Sequence, residues 1–190
     1  MIYRFSISFL VLLFTLASSA CESIFFYPSR NLYLQPSSLG LEHVSHTIPV
    51  NDKENIFLWE LKPKAKERGS ILFLHGNAEN ISTHINAVSW LPDHGYRVFL
   101  LDYRGFGASD GVPSVTSSIE DIEVTIEWLR DKRKPLSPLI LFSQSIGASL
   151  ALHALSKDEL RSVFSGFVFD SPFSSYRKIA REKIQETIFL

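Results

Sequence analysis

Ser145 is the residue whose setting most suggests chemistry. It stands in Ser143-Gln144-Ser145-Ile146-Gly147, after the apolar run Leu139 to Phe142 and before an Ala/Leu-rich stretch ending near Ser156. That order reads as strand, sharp turn and helix with a serine at the apex, a unit that can present a nucleophile. The turn forces its serine into a strained backbone, so small residues are wanted two places before and two places after it. Gly147 meets the second demand, and Ser143 stands where a glycine is usual for the first. An ordinary strand-to-helix connection with capping serines fits the same residues. Three further polar sites follow apolar runs in the same way: His75-Gly76-Asn77 after Ile71 to Leu74, Asp102 after Val98 to Leu101, and Asp170 after Gly166 to Phe169. Polar residues at corresponding positions argue for a shared site more strongly than any one of them.

The elements that must position these residues can be read from periodicity. The chain has 190 residues, 45% of them hydrophobic, which suits one domain with a sizeable core. His43 to Val50 and Ile56 to Leu61 predict a hairpin around the polar turn Asn51 to Asn55. The continuous apolar run at 71–74 predicts a strand covered on both faces, 98–101 another buried strand, and 139–142 and 166–169 two further strands. Ile81, Ile85, Val88 and Leu91 fall at helical spacing, ended by Pro92 to Gly95. Ile119, Ile122, Ile126 and Leu129 predict the buried stripe of a second helix. Ser114 or Ser117 can cap it, Ser117 and Glu120 having capping-box spacing. Lys132, Arg133 and Lys134 close that helix and oppose its dipole, which accounts for the basic cluster without a binding patch. Ser174 to Phe189 reads as a charged helix. Alternating strands and helices imply an α/β fold, a mostly parallel sheet with helices on both faces. Loops at strand C-terminal ends carry the chemistry in such sheets.

A net charge of −1 gives no reason to expect nucleic acid, and a single cysteine rules out an intrachain disulfide framework or a cysteine metal cluster. His43 and His46, expected on one strand face, have no third ligand nearby and read as solvated strand histidines rather than a metal site. No glycine-rich nucleotide motif occurs, so no cofactor is expected.

The first twenty residues read as a signal peptide. Phe5 to Ala17 is almost wholly apolar but shorter than the roughly 20 residues a spanning helix needs. Ser18-Ser19-Ala20 supplies small residues for cleavage, and Cys21 follows directly, as in a bacterial lipoprotein signal. Lipidation at Cys21, simple cleavage after Ala20 and an uncleaved anchor all remain open, and each exports the protein or ties it to a membrane. Residues 21–40 are expected to pack as an irregular segment before a domain over 41–190.

LFLHGNAENISTH, LLDYRGFGASDGVPS, the Ser145 elbow and FVFDSPFSS together resemble the serine α/β-hydrolase superfamily. The nearest group is the serine aminopeptidase-like hydrolases related to prolyl oligopeptidase, whose oxyanion motif reads L-H-G-N. The resemblance runs over most of Phe25 to Tyr176. It implies acyl transfer: Ser145 attacks an ester, thioester or amide of a small-molecule or peptide substrate, and the N–H groups of Asn77 and Ile146 hold the oxyanion. It implies a structural His75. Asp102 is expected to fix the turn of Asp102 to Gly107. Where the group has G-x-S-x-G-G, this chain has Ser143, Ser145, Gly147 and Ala148.

The fold orders its triad as serine, acid, histidine. After Ser145 the one histidine is His153, eight residues on and roughly 12 Å down a helix axis, out of reach. The group places its acid and histidine after later strands than Gly166 to Phe169. The chain is therefore expected to be a truncated or frameshifted hydrolase lacking the last two strands, inactive as it stands. Asp170 as a relocated acid would still have no histidine to orient. A non-catalytic binding or vestigial protein on the same fold is the alternative.

Overall fold

The computed structural model describes residues 26–132 and 138–173. The expected signal peptide, Cys21 and the expected helix from Ser174 lie outside the described residues. All six expected strands form: β1 (His43–Pro49), β2 (Asn55–Leu61), β3 (Gly69–Leu74), β4 (Tyr96–Asp102), β5 (Leu139–Gln144) and β6 (Gly166–Asp170). They make one six-stranded sheet in the order β1-β2-β4-β3-β5-β6. β4, β3, β5 and β6 run parallel, and the β1–β2 hairpin adds antiparallel to the edge of β4. This is the α/β-hydrolase fold as far as the described residues extend.

The strand order decides where a site can lie. From β3 the chain crosses to β4 on one side and then returns to β5 on the other. The loops leaving β3 and β5 therefore part in opposite directions and leave a crevice at the strand C-terminal ends. His75-Gly76-Asn77 leaves β3, and Ser145 leaves β5.

Each face of the sheet has its own core. Ile48, Leu58, Leu72, Leu74, Leu101 and Leu141 point to the face covered by α2 (Val115–Lys132) and α3 (Ile146–Ala154). Trp59, Leu61, Phe73, Val98 and Leu100 point to the other. There Ile81, Ile85, Val88 and Leu91 are all buried, as their spacing predicts, but they do not form one helix. α1 (Ile81–His84) is a single turn, continued by 3-10 turns at Ile85–Ala87 and Leu91–His94. The β-branched residues Ile81, Thr83, Ile85 and Val88 weaken an α-helix here, and Pro92 and Gly95 end the stretch. Burial of the stripe is kept while the helix is broken.

Two smaller expectations are corrected. His43 and His46 are three residues apart, so the strand's period of two sends them to opposite faces, His43 against Trp59 and His46 against Trp128. Among the described residues no cluster of His, Cys, Asp or Glu could hold a metal. At the start of α2 the capping partner of Ser117 is Ser114, whose Oγ accepts from the Ser117 N–H at 3.0 Å. Glu120 turns instead to Arg104. The Asp102 carboxylate lies against Gly107 in its own turn, as expected, and also accepts the Ile81 N–H at 2.9 Å, tying β4 to α1.

Segment 26–40 is irregular apart from a 3-10 turn at Pro36–Leu39. Phe26 is buried edge-on to Phe106, while Tyr27 and Tyr33 are exposed. Among the described residues no helix is long and apolar enough to cross a membrane.

Arg104 holds the long turn after β4. Its Nε donates to Asp121 Oδ1 at 2.6 Å and its backbone N–H to Oδ2 at 2.7 Å. Glu54, Glu120 and the Ser117 carbonyl take the rest of the guanidinium. The Asp121 side chain is fully buried, so removing it strands a cation in low dielectric. Asp121→Ala is expected to cost about 3 kcal/mol, the low end for a broken buried pair because two carboxylates remain. Denaturant midpoints measure this. A loss under about 1 kcal/mol would mean that Glu54 and Glu120 suffice.

Candidate active site

Ser145 sits at a strained elbow. β5 delivers it, and α3 begins at the next residue. Its backbone has φ 50° and ψ −118°, in the left-handed half of the map, which a residue with a Cβ avoids. Two things hold it there. The Ser145 N–H donates to the Asp170 carbonyl at 2.8 Å, locking the elbow to the end of β6. Behind it α3 presses Gly147 onto the end of β3. A Cβ on Gly147 would meet Tyr103 Oη at 2.7 Å and the Leu74 carbonyl at 2.8 Å, and would strike the His75 carbonyl. The strain leaves the Ser145 side chain exposed at the turn's outer edge.

The two departures from the glycine pattern are accommodated. Ser143 is fully buried beneath β6, and its Oγ lies 3.5 Å from the Val168 carbonyl. Ala148 is buried within α3.

Ser145 and Asn77 line one open cleft of about 340 Å³, with Gly76, His84, Gln144, Asp170 and Ser171. Gly76 separates the serine from a histidine: a Cβ there would lie 3.5 Å from Ser145 Cβ and 3.7 Å from His84 Cε1. Ile146 is buried at the first position of α3, where its N–H has no acceptor within the helix. So the expected serine and the Asn77 loop come together, and Ile146 stands beside them.

The remaining groups have other settings. His75 is wholly buried behind the cleft, its Nδ1 2.7 Å from the Gly76 carbonyl and its Nε2 3.4 Å from Asp102 Oδ1. Tyr103 Oη donates to the His75 carbonyl at 3.1 Å. Asp170 lies on the cleft wall, where the Gln144 amide and then the Ser171 hydroxyl hold its carboxyl below the usual carboxylate range. His153 points to solvent from α3. No expectation from the sequence concerned His84, which stacks on His75 at 5.1 Å and lines the cleft. Burial, then the neighbouring His75, push its pKa down against the pull of the Ala78 and Asn77 carbonyls. The available signal was its place four residues after Asn80, the N-cap of α1, on the side facing the loop.

Comparison with known proteins fits this arrangement. The family model described as "Serine aminopeptidase, S33" matches residues 65–188. The chain belongs to that family. YfhR of Escherichia coli K12 is 34% identical over 174 residues, 88% of this chain and 60% of its own length. The mouse lysophosphatidylserine lipase ABHD12 is 29% identical over 158 residues, 80% of this chain and 39% of its own. The Pyrococcus furiosus esterase Pf2001 superposes with a TM-score of 0.73 at 23% identity, covering 87% of this chain and 63% of that one, a likeness of fold. The chain thus spans about 60% of the length of its Escherichia coli relative.

The contact behind the elbow makes a contrast that can be measured. Gly147→Ala is expected to destabilise by about 2–3 kcal/mol, because backbone atoms cannot yield to its methyl. Ala148→Gly, one residue on, is expected to cost only the helix propensity of glycine and a buried methyl, about 1–2 kcal/mol. Thermal or denaturant unfolding of both variants gives the comparison. Equal losses would show that the elbow tolerates a side chain at 147.

Proposed function

We propose that this chain carries the nucleophile and oxyanion half of a serine hydrolase acting on esters, thioesters or amides. The observation that carries it is the exposed Ser145 at φ 50°, sharing a cleft with Asn77. Ser145 Oγ attacks the substrate carbonyl. The carbonyl π electrons move to oxygen, and the N–H groups of Asn77 and Ile146 hold that oxyanion. Collapse expels the alcohol, thiol or amine and leaves an acyl-serine, which water then hydrolyses. The substrate is a small molecule or peptide with an acyl group, and ester chemistry is favoured by the lipase and esterase named among the similar proteins. Acyl transfer of this kind calls for no metal or cofactor.

The first step needs a base for the Ser145 proton. All six histidines of the sequence lie in the described residues. His43 and His46 are on β1, and His94 and His153 face solvent away from the cleft. His75 is buried and turned to Gly76 and Asp102, and His84 Nε2 points to the Ala78 carbonyl at 3.2 Å. On this reading the base, its acid and the rest of the acyl pocket are supplied from outside these residues. Phe167 and Val168, exposed on β6, offer apolar surface for that further chain. The same histidine geometry favours a second reading, a binding protein on this fold without turnover.

The deciding experiment compares four proteins with a short acyl ester and a serine-directed fluorophosphonate. They are the 190-residue chain, a form extended by the in-frame or frame-corrected downstream coding sequence, and Ser145→Ala in each. The expected result is little or no turnover or labelling for the 190 residues and Ser145-dependent turnover for the extended form. Robust hydrolysis by the short chain would overturn the assignment of the base. An inert extended form would favour the binding reading.

We also propose export with lipidation at Cys21 after cleavage at Ala20. Its support is the apolar run and the small residues before that cysteine. Intact-mass analysis of the membrane fraction is expected to show a diacylated or triacylated Cys21. Unlipidated protein in the soluble fraction, or retention of Met1 to Ala20, would overturn it.

A further inference from the structure

The loop from Gly76 to Asn80 is held in a conformation that the chain does not favour. Ala78 has φ 70° and Glu79 φ 56°, two successive left-handed residues that carry side chains. Such a loop persists only where its surroundings over-determine it. Its backbone partners can be followed peptide by peptide.

The Gly76 carbonyl accepts from His75 Nδ1 at 2.7 Å. The Asn77 side chain accepts twice through Oδ1, from the Ala78 N–H at 2.8 Å and the Tyr27 N–H at 2.9 Å. The Ala78 carbonyl accepts from His84 Nε2 at 3.2 Å. The Asn77 carbonyl also bears on the His84 ring. The Glu79 N–H donates to the Tyr27 carbonyl at 2.9 Å, and the Glu79 carbonyl accepts from the Ser29 N–H at 3.0 Å. In this succession the Asn77 N–H, like those of Gly76 and Asn80, has no acceptor among the described residues.

Its direction follows from the peptide plane. Carbonyl and N–H of a trans peptide point opposite ways. The Gly76 carbonyl is drawn inward by the wholly buried His75, so the N–H on the same peptide faces outward, to the side where Gly76, Asn77 and Ser145 line the cleft. His84 lines the same cleft. Its ring lies 5.1 Å from the His75 ring at an interplanar angle of 29°, and its Cε1, like Ser145 Cβ, lies beside the point a Gly76 side chain would occupy.

We propose that His84 is a positioning residue: stacked on His75, it completes a two-ring clamp on the carbonyls flanking Asn77 and so aims the Asn77 N–H into the cleft. His75 grips the Gly76 carbonyl, and His84 grips that of Ala78. A carbonyl accepts, so His84 carries its proton on Nε2, and its use here is to donate rather than to take the Ser145 proton. The site is thereby built to receive a carbonyl oxygen or oxyanion at Asn77 before any substrate arrives, with no reorganisation at the moment of reaction. The clamp's purpose rests on the oxyanion reading, but its existence can be tested without turnover.

The test follows backbone amides of the full 190-residue chain by NMR and hydrogen exchange. His84→Phe keeps a ring on His75 and loses the donor to Ala78. It is expected to shift the Asn77 and Ala78 amide resonances and to speed Glu79 exchange about fivefold or more, while β3 and β5 keep their protection. His84→Gln places an N–H near the lost Nε2, and is expected to return Glu79 exchange to within about twofold of the parent. Rescue by glutamine separates a positioning hydrogen bond from mere filling of space. The proposal is overturned if phenylalanine leaves the loop amides unchanged, or if glutamine disturbs them as much as phenylalanine. Both outcomes stand whether or not Ser145 proves catalytic.

Discussion

The close approach of α3 to the end of β3, at Gly147, is the contact on which the site depends. Only a residue without a side chain lets the first turn of that helix touch the Leu74 and His75 carbonyls. If the helix stood further off, the chain leaving β5 could turn gradually, and Ser145 would relax toward an ordinary backbone angle. Because it cannot, the strain is concentrated at one residue, whose side chain is pushed to the outside of the bend. Packing energy spread over Ile146, Leu150, Ala151 and Ala154 offsets that local cost. The same contact brings α3 against the strand whose next residues are His75, Gly76 and Asn77. One helix-to-strand contact thus strains the serine and sets its distance from the loop opposite.

The central strands were legible because each is a short apolar run between turn residues, and the sheet buries β3 and most of β4 on both faces. The elbow was legible for a related reason: small residues are needed at fixed offsets from Ser145, and offsets survive in a linear sequence. The region from Ile81 to Leu91 shows the limit. Its periodicity encodes burial, and burial is correct at all four positions. Whether the buried stripe is wound as one helix or several turns depends on β-branched crowding and on Pro92, which compete at similar strength. The Asp102 carboxylate lies against Gly107 in its own turn, as expected, but its bond to α1 was not legible, for a different reason. Its partner, the Ile81 N–H, is 21 residues away, and only the sheet brings them together.

His84 could not be found by either kind of signal. It has no motif of its own, and its importance comes from three neighbours: the ring of His75, the Ala78 carbonyl and the Gly76 backbone. Those neighbours are close in sequence, yet their arrangement requires two left-handed residues at Ala78 and Glu79 that nothing in the side chains demands. The bonds to Tyr27 and Ser29 show what makes that backbone persist. The irregular segment before β1, expected to pack on the domain, supplies those backbone bonds to the loop beside the cleft.

The proposed function divides its work between backbone and side chains. On the proposed function, nucleophile and oxyanion donors come from backbone geometry at the ends of β3 and β5, the two strands at the switch in sheet order. That geometry is complete once β3, β5, α3 and the segment from Phe26 are packed. A general base is different, since it must bring a side-chain nitrogen with a free lone pair to Ser145 Oγ. His75 and His84 are the histidines nearest the serine, and both are turned toward backbone carbonyls. His75 is besides wholly buried, with its Nε2 beside Asp102. On the proposed function, these two rings position the oxyanion donor, and taking the proton falls to another group.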